Sequence, residues 1–259
     1  MFKSVFCRGL AAVVCALSLS MAQAADDSSS DETWQFSGAI YLWGAALGGE
    51  TRTGDDIDIS FSDLLKNLDM AFMGMLDARK GKWSLLTDVI YLNVSDDKSR
   101  NTTGDLIDRP VTAKLDVGLK SWIVSAAGGY EVYENDRTQL DVLAGARYLY
   151  MKPDLEFRIS EVGPFGPWRE RVAESEDFID AIVGVRGRTE LSEKWWMNYY
   201  ADIGTGESDL TWQLLAGFNY RFSKVDAAFG YRYIKWEFDD SVLDNLDVSG
   251  PYAGVRFDF

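Results

Sequence analysis

From residue 34 onward, apolar and polar side chains alternate with period two over long segments. Leu140, Val142, Ala144, Ala146, Tyr148 and Tyr150 fall on one side of such a segment, with Asp141, Gly145 and Arg147 on the other. Leu210, Trp212, Leu214, Ala216, Phe218, Tyr220 and Phe222 alternate in the same way with Thr211, Gln213, Gly217, Asn219 and Arg221. Successive side chains of a strand point to opposite faces, so each segment predicts a strand with one apolar, aromatic-rich face and one polar face. Strands of water-soluble sandwiches average about 5–6 residues, whereas a tilted strand crossing a bilayer needs about 9–11. The pattern predicts ten strands, over 34–46, 69–80, 82–95, 111–133, 137–152, 176–190, 195–204, 210–222, 225–238 and 248–259.

The connections sort into two classes. Gly81, the 134–136 and 191–194 segments, and Ser223-Lys224 are tight turns; 47–68, 96–110, 153–175 and 239–247 are long, with a shorter link at 205–209. Short turns at one end, long loops at the other and an even strand number predict an all-β fold, an antiparallel up-and-down transmembrane β-barrel with both termini periplasmic. Eight strands, with the 195–204 segment merged differently, is the alternative. Aromatic residues fall where two membrane interfaces would lie. Trp34, Phe36, Trp83, Trp195, Tyr220, Phe222, Phe257 and Phe259 sit near the tight turns, and Tyr91, Tyr148, Tyr150, Trp212, Tyr231 and Tyr233 toward the long loops. Amphipathic rings prefer the headgroup layer, which predicts two girdles.

The N-terminus has a different character. Lys3 and Arg8 precede a short apolar run, Leu10 to Met21, and Ala22-Gln23-Ala24 supplies a small-x-small cleavage pattern. Residues 1–24 are therefore expected to be a cleaved signal peptide and 25–33 a polar periplasmic lead-in (DDSSSDE from Asp26 to Glu32), leaving 34–259 as the barrel domain. Cys7 and Cys15 both lie in the leader, so the remainder carries no thiol or disulfide.

The chain has 41 acidic and 26 basic residues, a formal net charge of −15, and no histidine. Such acidity excludes a nucleic-acid binder, which needs a basic face. The acidic surplus falls mainly on the long loops and the lead-in. The mean hydropathy of −0.15 matches an ordinary soluble protein, but a transmembrane barrel hides its apolar residues at alternate positions.

The last strand reads PYAGVRFDF, with Val255, Phe257 and Phe259 on one face. This ending resembles the C-terminal insertion signal of Gram-negative outer-membrane β-barrel proteins, where a terminal aromatic and alternating apolar residues engage the insertion machinery. With the leader and the ten segments, the resemblance covers the mature chain and is to small opacity-type or porin-like barrels. It implies a bacterial outer-membrane location, outer-membrane lipid, lipopolysaccharide and the barrel-insertion machinery as partners, and a monomer.

The phase opposite the apolar one would line the lumen. It holds Arg79, Lys114, Lys120, Arg147, Arg186, Arg188, Arg221, Arg232 and Arg256, with Asp77, Asp88, Asp116, Asp141, Asp180, Asp202, Asp226 and Asp258. Eight strands leave room only for side chains and 16–18 leave an aqueous channel. At ten strands, a near-neutral Arg–Asp set is expected to fill the interior, since buried charges need partners and the guanidinium fork suits carboxylates. The alternative is a narrow porin-like path for ions or small solutes. A structural or surface-interaction role follows from the first reading.

No enzyme is expected. Barrel enzymes resembling the outer-membrane proteases or the lipid A acyl-modifying enzymes depend on a histidine, which this chain lacks. Acidic pairs such as Asp55-Asp56, Asp96-Asp97 and Asp239-Asp240 sit among turn residues and read as solvated loops. Asp55, Asp56 and Asp58 lack the spacing and terminal Glu of an EF-hand, so no metal or cofactor is expected. Two loop segments stand apart. Ser62 to Leu68 resembles an N-capped helical turn with Leu64, Leu65 and Leu68 on one face, and Gly163 to Trp168 (GPFGPW) is rigid and aromatic.

Overall fold

A computed structural model describes residues 33–52, 54, 56–62, 68–96, 102–105, 110–160, 168–172, 175–239, 241 and 243–259. In chain order the strands are β1 (Gln35–Trp43), β2 (Ala46–Thr51), β3 (Asp56–Ile59), β4 (Leu68–Lys80), β5 (Trp83–Asp96), β6 (Thr102–Asp105), β7 (Pro110–Glu134), β8 (Thr138–Ser160), β9 (Trp168–Val172), β10 (Glu176–Glu190), β11 (Trp195–Gly206), β12 (Leu210–Arg221), β13 (Asp226–Glu237) and β14 (Leu243–Asp258). Ten of them pair in the ring β1-β4-β5-β7-β8-β10-β11-β12-β13-β14, which closes where β14 meets β1, Ser37 opposite Asp258 and Trp43 opposite Tyr252. Every pairing is antiparallel. The ten expected strands all form, and β11 stands between β10 and β12 as a strand of its own, which removes the eight-strand alternative.

The alternation decides which face is which. Leu42, Leu76, Leu85, Val183, Ile203, Leu214, Phe229 and Val255 are exposed on the outside, while Ser37, Asp88, Asp141, Arg147, Asp202 and Arg232 are buried on the inside. On β8 the outer row runs from Leu140 to Tyr150. At about 2.6 Å of height per residue for a strand tilted near 40°, these ten steps cover about 26 Å, the height of the apolar band of a membrane barrel. Outward rings pair across strands at both ends of the band: Trp83 with Tyr130 (4.9 Å) and Trp195 with Tyr220 (5.0 Å) toward the tight turns, Tyr91 with Trp122 (4.5 Å) and Trp212 with Tyr233 (4.7 Å) toward the loops. The terminal residues lock the seam. Phe259 donates its backbone N–H to the Phe36 carbonyl (3.0 Å) and stacks on Phe36 (6.0 Å) and Phe257 (5.9 Å).

The long connections depart from a loop reading. β2 pairs with β14 and with β3, β6 pairs with β7, and β9 pairs with β8. Beyond the pair Trp122–Tyr150, β7 and β8 stay in register for ten more residue pairs, as far as Thr112–Ser160. Those pairs raise a four-stranded sheet, β6-β7-β8-β9, roughly 25 Å past the aromatic girdle. Pro153 signals an end to β8 in the sequence yet lies inside it. Among the described residues, β10 pairs with β8 only as far as Met151 and β9 only from Leu155, so no described ladder partner on that edge needs the missing N–H. β14 likewise starts at Leu243, earlier than expected, because β2 extends its ladder. Leu68 opens β4 rather than closing a helical turn, while residues 63–67 and 161–167, like the leader, lie outside the described residues.

One pair of glycines makes room inside. Gly217 and Gly230 face each other across β12 and β13, and the Tyr252 ring lies over both. A Cβ on Gly230 would meet Tyr252 Cε1 at 2.8 Å and the Gly217 Cα nearby. Gly230→Val is expected to lower stability by about 1–3 kcal/mol through overpacking, read as an earlier urea midpoint in lipid vesicles.

Candidate functional site

The lumen has three storeys. In the lowest, near the tight turns, Arg188 pairs with Glu190 (2.6 Å), Arg221 reaches the same carboxylate (3.0 Å), and Arg256 pairs with Asp258 (3.3 Å). The Trp196 ring lies beneath the guanidiniums of Arg188 (4.2 Å) and Arg256 (5.4 Å) and donates its N–H to Asp226 (2.8 Å). Slightly deeper, Asp141 accepts from Arg79 and from Arg186 (2.8 Å). Arg79 continues to Glu131 (3.3 Å), and Arg186 to Asp77.

The middle storey is a belt of two buried ion pairs joined by an amide. Arg147 bonds Asp202, with further bonds to Thr211 Oγ1 (3.0 Å) and Ser125 Oγ (3.4 Å). Arg232 bonds Asp88 (2.6 Å) and the Tyr41 hydroxyl (2.8 Å), and that hydroxyl donates to the other oxygen of Asp88 (2.5 Å). Gln213 Oε1 accepts from both guanidiniums at 3.0 Å. Seven strands contribute to this one layer, because their registers bring inward positions to the same height. Arg147 and Arg232 are 0% and 1% exposed, so each charge depends on its partner.

The upper storey is apolar. Trp43, Met73, Ile90, Ile123, Leu149, Met151, Phe178, Ile234, Trp236 and Phe238 all point inward and pack together. The indole of Trp43 lies 5.2 Å from the Arg232 guanidinium and that of Trp236 lies 6.0 Å from Arg147. Charged belt and apolar plug are therefore in contact through cation–π faces. Below the belt a cavity of about 620 Å³ opens toward the tight-turn end, walled by Asp77, Arg79, Arg186, Asn198, Asn219 and Asp258 among others. The belt residues Asp88, Gln213 and Arg232 form part of its wall. Among the described residues no group of three or more acidic side chains is placed to hold a metal ion.

The sequence-derived lumen set divides as follows. Arg79, Asp141 and Arg186 meet in one cluster, Arg147, Asp202 and Arg232 in the belt, and Arg221 and Arg256 stand at the mouth. Asp180, opposite Arg147 on β8, forms no ion pair among the described residues and accepts the backbone N–H of Ser208 (2.9 Å), holding the 207–209 link. Lys120 belongs to the outer phase instead: it is exposed, in the row of Trp122, with its ammonium 5.8 Å from the Tyr91 ring. The alternation of β7 buries Ile123, Ala127 and Glu131, all odd positions. The side chains of Lys114 and Asp116 lie outside the described residues. Missing from the sequence-derived set were Glu131, Glu190, Tyr41, Gln213 and the whole plug. Its signal is that apolar residues occupy both phases at the loop end of the strands, as in Tyr148-Leu149-Tyr150-Met151 and Tyr231 to Ile234, where Tyr233 and Ile234 are adjacent.

No protein-family model matches the chain, and no curated protein matches its sequence. Similar solved structures include Ail, the attachment invasion locus protein of Yersinia pestis, at 12% identity over 88% of this chain and 99% of that one, TM-score 0.38. The translocator domain of the autotransporter NalP from Neisseria meningitidis has 17% identity over 96% and 93%, TM-score 0.44. Neisserial surface protein A has 13% identity over 88% and 100%, TM-score 0.33.

Proposed function

We propose that the chain is a sealed outer-membrane barrel without catalysis, whose working surface is the sheet raised above the loop end. The observation that carries this reading is the plug: ten inward apolar side chains stand between the lumen cavity and the loops. A porin-like path would need a continuous polar lining, and a dry apolar segment opposes the entry of ions. The prolonged β7–β8 hairpin supports a surface role, since membrane anchorage alone needs only the part below Trp122 and Tyr150. In this reading the leader directs export, Phe259 addresses the insertion machinery, and lipopolysaccharide surrounds the outer half of the barrel.

Residues 33–259 contain no cysteine, which makes the orientation directly testable. Thr103→Cys, on β6, is expected to react with a membrane-impermeant maleimide on intact cells, whereas Asn135→Cys and Ser192→Cys, in the tight turns, react only after lysis. Labelling of the turns on intact cells, or of all three sites alike, would contradict the reading.

A further inference from the structure

The outer face of β5, β7 and β8 carries two stacked rows. Tyr91, Trp122 and Tyr150 are opposite one another across the three strands, at the upper girdle. One step above them, Asn93 is opposite Lys120, and Lys120 is opposite Lys152. Both lysines are exposed, and among the described residues neither forms an ion pair. Like charges directly opposite each other on neighbouring strands are destabilising, so this pair opposes the fold it sits in. Asp177, opposite Tyr150 on β10, belongs to the row below and pairs with neither lysine. The far side of the barrel differs at the same height. There Lys235 bonds Glu237 (2.8 Å) and has Asp247 opposite on β14.

We infer that Lys120 and Lys152, with Asn93 beside them, form a binding site for the phosphate groups of an outer-leaflet glycolipid. The height fits this ligand: the row lies just past the apolar band, where headgroup phosphates sit above acyl chains packed on Trp122 and Tyr150. The charge fits as well. A phosphate between the two ammonium groups converts a repulsive cross-strand pair into two charge-assisted contacts. The chain as a whole is acidic, with a net charge of −15, so the basic pair provides a localised anchor rather than a general attraction to anions.

This site rests on the outer-membrane reading above. The test titrates the detergent-solubilised barrel with diphosphoryl lipid A and, for comparison, phosphatidylethanolamine, and counts bound lipid by native mass spectrometry. Wild type is expected to prefer lipid A. Lys120→Gln/Lys152→Gln is expected to bind it about 30-fold more weakly, while Lys235→Gln binds like wild type. Equal affinity of the double variant and wild type, or no preference for lipid A in the wild type, overturns the site. Heat-modifiable migration on gels keeps the two claims separate. Its absence in wild type defeats the barrel reading, whereas unchanged lipid binding in a heat-modifiable double variant defeats the site alone.

Discussion

Arg147→Met is expected to destabilise the folded barrel by about 3–5 kcal/mol, because it leaves a buried carboxylate without its cation. Asp202 is 7% exposed, and its Oδ1 is unpartnered as it stands. Removing Arg147 also withdraws donors from Thr211 and Gln213 and the cation from the Trp236 face. The partner substitution gives the diagnostic result. Asp202→Asn added to Arg147→Met removes the stranded charge, and the double variant is expected to recover most of the loss, since a neutral replacement of a buried pair is often tolerated. Urea unfolding in lipid vesicles, followed by the heat-modifiable gel shift, measures both. A single variant as stable as wild type would mean that the belt does not hold the lumen together.

The second large effect concerns the plug. Trp236 is 0% exposed and Trp43 5%, and each roofs one guanidinium of the belt. Trp43→Ala/Trp236→Ala is expected to cost about 3–5 kcal/mol per site, somewhat coupled because both stand on one belt. It also removes two indoles from the apolar storey. Water can then meet the charged belt from above as well as below, and the double variant is expected to show discrete conductance steps in planar bilayers. Substituting two equally large rings on the outer face, Trp83→Ala/Trp122→Ala, leaves the lumen intact and is expected to add no conductance.

The barrel was legible because period two survives in every spanning strand. A strand between lipid and lumen has one obligatory apolar face, and a slip of one residue would reverse it. That same rule located Asp141, Arg147, Asp202 and Arg232 on the inside without any three-dimensional knowledge. It failed where its premise fails. Above the girdle no lipid dictates a face, so β6, β9 and the upper part of β8 look like polar loops. Lys120 was misplaced for the same reason, since its own neighbourhood alternates weakly and only the register with Trp122 and Tyr150 fixes its side. The plug escaped notice because two apolar phases in succession blur the alternation by which strands are recognised. The partner of each charge was also beyond sequence. Asp180 and Arg147 are opposite one another across β10 and β8, yet Arg147 bonds Asp202 and Asp180 holds the 207–209 link. Side-chain reach across the lumen decides such choices, not adjacency along the ladder.

Single-channel recording of the wild-type barrel reconstituted in a planar bilayer tests the sealed lumen most directly. The heat-modifiable, fully folded protein is expected to leave the membrane at its baseline conductance at high protein load, while Trp43→Ala/Trp236→Ala under the same conditions produces steps. Reproducible steps from the wild type, with an ion selectivity that shifts when Arg147 or Arg186 is replaced, would show that the lumen is a path and not a packed core.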